Sequence, residues 1–107
     1  MKQFTIYCTP EQCEKALKLG APITRVSHSL GEPFIPECTA EQMIGWLEEQ
    51  NLRVTLHVNC FDKWCSRIYT SDVMLAFITS WFDTRQEATL AAIDAALDYL
   101  IKQKTNE

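Results

Sequence analysis

Apolar residues recur at helical spacing in three segments of the chain and alternate residue by residue between the second and the third. The first segment runs from Pro10 to about Leu19, with Cys13, Ala16 and Leu17 on one narrow face and Gly20 placed to end it. The second runs from Ala40 to about Gln50 and turns Met43, Ile44 and Leu47 inward, with Trp46 at the edge and Asn51 able to close it in the left-handed region. The third, from Arg85 to about Lys102, carries Leu90, Ile93, Leu97, Leu100 and Ile101 as its stripe. All three share one starting chemistry: Thr9, Thr39 and Thr84 stand three residues before Gln12, Gln42 and Glu87. That is the capping-box spacing, in which the hydroxyl accepts the N3 amide proton and the N3 side chain reaches back to the cap. On its second side the last helix lines up Ala88, Ala91, Ala92 and Ala95 with Tyr99. Small residues there permit a close backbone approach by another element or a second subunit, although alanine is also the best helix former.

From Arg53 to Cys60 the period falls to two, with Val54, Leu56, Val58 and Cys60 on one face. Phe61-Asp62-Lys63 supplies a turn, Trp64 to Thr70 returns, and Ser71-Asp72 turns again into a strand from Val73 to Phe82. A two-residue loop at Asp62-Lys63 would set Arg67 opposite Val58 on the apolar face. A three-residue loop at Phe61–Lys63 pairs Cys60 with Trp64, Val58 with Ser66 and Leu56 with Ile68, and keeps charge off the core. The second register is therefore the expected one, and it gathers Thr55, His57, Asn59, Cys65, Arg67 and Tyr69 on the opposite face. The third strand is apolar at every position from Val73 to Ile78, the pattern of a strand covered on both faces. An N-terminal strand at Phe4–Cys8 with the first helix, or a second subunit, would supply the cover. Residues 21–38 hold three prolines, one glycine and no helical period, and predict either a short strand at Ile23–Ser27 or a functional loop over the sheet. The expected fold is α+β in a single domain. A three-stranded antiparallel sheet, to which the N-terminal strand can add, packs against helices in α-β-β-β-α order across residues 40–102.

Composition sharpens this picture. A chain of 107 residues with 47% hydrophobic and 22% charged residues can bury a real core. Ten Lys and Arg against 14 Asp and Glu leave a net charge of −4, and the basic residues are scattered. Nonspecific binding to nucleic acid or anionic membranes rests on clustered Lys and Arg, so neither partner is expected. No apolar run approaches the roughly 20 residues of a membrane-spanning helix. The stretch from Met1 to Cys8 is too short and polar for a secretory leader, so a cytoplasmic protein with reduced thiols is expected.

The thiols are the first candidates for chemistry. Cys8 and Cys13 are separated by four residues, as are Cys60 and Cys65, and His57 stands three before Cys60. Zinc wants thiolates and imidazoles converging tetrahedrally, usually from a tighter Cys-x2-Cys knuckle. Cys60 and Cys65 point to opposite faces in the expected register, so no metal or cofactor is predicted. Nucleophilic catalysis needs a cysteine beside a histidine, and His28 and His57 are the only histidines. Gly20, Gly31 and Gly45 stand alone, so no glycine-rich phosphate loop is present, and no hydrolase or metalloprotease motif appears. The expectation is a protein that is not an enzyme.

The α-β-β-β-α order is that of the double-stranded RNA-binding domain, which resembles this chain in topology and presents a lysine cluster at the start of its last helix. Here that stretch is Thr84-Arg85-Gln86-Glu87-Ala88, with one basic residue and one acidic, so the electrostatics argue against RNA. The segments FDTRQEATLAAIDAALDYLIK at 82–102 and TAEQMIGWLEEQ at 39–50 together resemble small uncharacterised proteins of gut bacteria, many of them from prophage or other mobile-element regions. That resemblance implies a mobile-element origin and carries no functional residue with it.

Two functions compete at this point. The first is association with a protein partner or with itself, as a homo-oligomer and in the first instance a dimer, through Met74, Ala76, Ile78, Trp81, Ala88, Ala92, Ala95 and Tyr99. The second is a ligand- or metal-binding module, with enzymatic activity a further option, that uses the 21–38 loop and the polar sheet face through His28, His57, Arg67 and Tyr69.

Overall fold

A computed structural model describes residues 5–70 and 75–105, with the backbone alone at 75–77. The elements in chain order are α1 (Pro10–Lys18), β1 (Thr24–Val26), β2 (Ile35–Glu37), α2 (Ala40–Glu49), β3 (Arg53–Val58), β4 (Trp64–Tyr69), β5 (Leu75–Ile78) and α3 (Arg85–Thr105). The fold is α+β. Both N-terminal caps form as the spacing predicts: Thr9 Oγ1 accepts from the Gln12 amide at 3.2 Å, and Gln12 Oε1 from the Thr9 amide at 3.0 Å. Thr39 and Gln42 repeat this at 3.1 and 3.0 Å. At α3 the Glu87 amide donates to Thr84 Oγ1, but the Glu87 carboxylate takes the threonine hydroxyl proton at 2.9 Å instead of reaching the cap amide. Asn51, at φ 69°, closes α2 in the left-handed region.

β3, β4 and β5 form an antiparallel sheet with β4 in the centre. Its hairpin register differs from both registers weighed on the sequence: Val58 pairs with Trp64, His57 with Cys65, Leu56 with Ser66, Thr55 with Arg67 and Val54 with Ile68. The cause is Asn59, whose Oδ1 accepts from the amides of Phe61 and Lys63 at 2.9 and 3.0 Å, with Asp62 at φ 60° completing the turn. This turn takes up two residues more than the expected loop, so Cys60 leaves the strand. A shift of two preserves which side chains share a face, where a shift of one would have exchanged them.

α3 lies on the sheet face that bears Ser66 and Ile68, and it also touches α1 and α2. Its buried residues are Ala88, Thr89, Ala92, Ile93, Ala96 and Leu97. The predicted stripe supplies only Ile93 and Leu97 of these, and Leu90, Leu100 and Ile101 stay half-buried. The helix is rotated towards its alanines because they let its backbone approach the sheet, close enough for the Ser66 hydroxyl to donate to the Ala88 carbonyl at 3.1 Å. The alanine side is thus covered from within the chain.

Among the described residues the N-terminal segment does not join the three-stranded sheet; Phe4, the first residue of the expected strand, lies outside them. Tyr7 bridges to Thr39, the Cys8 amide donates to the Cys38 carbonyl at 3.0 Å, and the Ala40 amide donates to the Ile6 carbonyl at 2.8 Å, so this segment pairs beside the start of α2. Residues 21–38 contain the short strand, β1, and fold back as a hairpin with β2, pairing Thr24 with Glu37 and Val26 with Ile35. Among the described residues this hairpin packs on α1 and does not lie over the three-stranded sheet. The predicted Ser71-Asp72 turn and Val73 and Met74, at the start of the third predicted strand, lie outside the described residues. α1 is tied to α3 by Gln12, only 1% exposed, whose Nε2 donates to the Leu90 carbonyl and to Asp94 Oδ1, each at 2.9 Å.

Candidate functional site

The face of β3 and β4 turned away from α3 carries Arg53, Thr55 and His57 on one strand and Cys65, Arg67 and Tyr69 on the other. These six side chains include two guanidiniums and no carboxylate, on a chain whose net charge is −4. His57 Nε2 lies 2.9 Å from Thr55 Oγ1. Directly across from His57, Cys65 is 1% exposed, which closes that thiol to any substrate. Arg67 sits half-buried in the central strand, with its Nε buried and without a hydrogen-bond partner. Towards one end of this face, Arg53, Thr55, Tyr69 and Thr70 join Glu48, Asn51 and Leu52 around an open depression of about 490 Å³. The donors of such a face suit an oxyanion: a guanidinium offers paired N–H groups and a hydroxyl can supply a third.

The fold brings His57, Arg67 and Tyr69 together on this face. His28 is elsewhere, between β1 and β2, with its Nε2 2.9 Å from Glu37 Oε2. Of the residues expected at an interface, Ile78 and Trp81 are 54% and 53% exposed. Ala88 and Ala92 are fully buried inside the chain and unavailable to a partner, while Ala95 and Tyr99 are half-buried at the margin of the core. Met74 lies outside the described residues, as does the side chain of Ala76. Around the β3–β4 turn, Val58 and Phe61 are also exposed, at 51% and 78%. Trp81 belongs to the same end of the sheet, because its neighbour Phe82 bridges to Trp64, the first residue of β4.

All five cysteines are free thiols, and only Cys60 is exposed. Cys38 joins Cys8 and Cys13 through the pairing of the N-terminal segment, a grouping that spacing along the chain does not reveal. Burial, followed by the neighbouring thiols of Cys38 and Cys13, pushes the Cys8 thiol up to about 12. Cys13 and Cys38 are raised as well, chiefly by burial. These three are protonated and unreactive at neutral pH. Among the described residues no group of three or more His, Cys, Asp or Glu side chains is arranged to hold a metal ion. No helix of the described residues is long and apolar enough to cross a membrane.

Comparison with protein-family models, with curated proteins and with solved structures finds no match to this chain. The site must therefore be read from its own chemistry. The sequence pointed to His57, Arg67 and Tyr69 but missed Arg53, which shares their face because β3 begins one residue before its first apolar position. Phe61 was read only as part of a turn, and its exposure follows from the Asn59-centred loop.

Proposed function

We propose that the protein acts by association, with a second copy of itself as the partner, through the end of the sheet built around the β3–β4 turn. The observation that carries this reading is the exposure of Val58 and Phe61, both more than half exposed, beside each other at the β3–β4 turn. Single exposed apolar residues are ordinary, but grouped aromatic and aliphatic side chains mark surfaces that meet other proteins. Large aromatics also contribute most to binding once water is excluded. Sedimentation velocity over a wide concentration range tests it. The expected result is a dimer that Val58→Ser with Phe61→Ser converts to monomer, since both side chains are exposed beside the free edge of β3 and neither is in the core. A wild-type chain that sediments as a monomer throughout would overturn the reading.

A second reading, binding of a small carboxylate or phosphate on the polar face, is favoured by the buried, unpartnered Nε of Arg67. An unsatisfied buried donor costs on the order of 1–3 kcal/mol, which an arriving oxyanion would recover. Titration with inorganic phosphate and with acetate should shift the amide resonances of Thr55, His57 and Arg67 in the wild type and not in Arg67→Met. No shift at millimolar ligand would remove this reading.

A further inference from the structure

We infer that β3 is the strand through which two copies join, paired antiparallel about a two-fold axis at Leu56 to make one continuous six-stranded sheet. This rests on the association reading above and names the partner surface within it.

Backbone direction comes first. The Asn59 amide donates to the Lys63 carbonyl at 2.9 Å on the β3–β4 side. On the β4–β5 side Trp64 and Phe82 exchange hydrogen bonds, and the Thr79 amide donates to the Ser66 carbonyl at 2.9 Å. Even-numbered residues of β4 thus turn their backbone groups to β5 and odd-numbered ones to β3, as alternation in an antiparallel ladder requires. Across the hairpin, Arg53, Thr55 and His57 face β4, and Val54, Leu56 and Val58 aim their N–H and C=O groups off the sheet. Among the described residues no strand lies beyond β3 in the sheet order.

The sequence of that edge is its own complement. Val54-Thr55-Leu56-His57-Val58 reads the same in apolar and polar character from either end. Pairing about Leu56 sets Val54 opposite the second copy's Val58 and Leu56 opposite its counterpart on the α3 side of the sheet. On the other side Thr55 meets the second copy's His57. The three outward residues then exchange about six hydrogen bonds, against about four when the register shifts by two residues either way. A shift of one would set apolar against polar side chains throughout. Shifting two residues towards the turn would also bring the two His57 rings face to face.

Edges that must stay single are usually blunted by proline, lysine or a bulge. β3 has no proline, lysine or bulge, its one charge, Arg53, stands before the Val54–Val58 stretch, and the irregularity in this sheet lies between β4 and β5, at Ile68/Tyr69. Val58, half exposed in the single chain, gains a partner in the pair.

The test combines a disruptive substitution with a cross-link, both in the full chain carrying Cys60→Ser to remove the exposed thiol. Val58→Lys places a charge opposite Val54 of the second copy without touching the core. It is expected to raise the dimer dissociation constant at least tenfold and leave the melting curve unchanged at concentrations where the wild type is also monomeric. Leu56→Cys should give a covalent dimer with oxidised glutathione, because paired Cα atoms about 5.5 Å apart fall within disulfide reach. Val58→Cys alone should not, since its opposite number is Val54. A wild-type dimer that resists Val58→Lys and leaves Leu56→Cys unlinked would overturn the β3 pairing and keep the association reading. A wild-type monomer at every concentration would overturn both.

Discussion

Leu97→Ala should lower the free energy of unfolding by about 2–4 kcal/mol, the cost of removing most of a side chain that has nowhere to collapse. Leu97 is fully buried in the middle of α3 and belongs to the core shared with Met43 and Leu47 of α2, Ile68 of β4 and Cys13 of α1. α3 touches α1, α2, β3 and β4, so a cavity on it loosens its packing against all four. In a domain of this size that loss corresponds to a melting temperature lower by about 10 °C or more. Urea unfolding checks it: the midpoint should drop with an unchanged slope. A change below about 1 kcal/mol would mean that Leu97 is not held as tightly as its burial indicates. Leu100→Ala, at a half-buried position, should cost visibly less.

Stability should also fall steeply in alkali. The Cys8 thiol is raised from 9.0 to about 12 by burial and by the neighbouring thiols, so the folded chain keeps a proton that the unfolded chain releases. A group raised in this way contributes stability that is fully present below pH 9 and is lost as the pH climbs towards 12. Between those limits the unfolded state binds fewer protons, and the slope approaches roughly 1.4 kcal/mol per pH unit for one thiol. Cys13 and Cys38 are shifted in the same direction and add to the effect. Denaturant unfolding at a series of pH values from 8 to 11 would measure it, with Cys8→Ala as the control. The variant should lose the part of the slope that belongs to Cys8. Equal slopes in both chains would show that this thiol is ionised in the fold as readily as in the open chain.

Local chemistry was legible in the sequence and distances between elements were not. The capping threonines announced all three helix starts to the residue, because the cap and its N3 partner lie within four residues of chain, although the box closes in full only at α1 and α2. The hairpin register was missed because the eye follows hydropathy, whereas the turn is decided by one side-chain oxygen, that of Asn59, accepting two amides. The face assignment survived that error because the slip was even. On α3 the large residues suggested one buried stripe and the sheet selected another. A helix seated on a sheet needs small residues at the closest approach, and Ala88 and Ala92 meet that need without adding much to a hydropathy pattern. Gln12 was invisible as a core residue for the same reason: its amide is satisfied by partners 78 and 82 residues away. Of the candidate site, three of the four polar residues were gathered correctly by alternation alone. His28 was misplaced because residues 21–38 found their own partner strand and never reached the sheet.

The Gln12 amide couples the start of α1 to α3. Its oxygen completes the first turn of α1, and its nitrogen is held by α3 from the far end of the chain. A short helix such as α1 is marginal in water when isolated, so the hold of α3 on the same side chain steadies its first turn. One side chain thus joins a cap closed within four residues to contacts 78 and 82 residues along the chain.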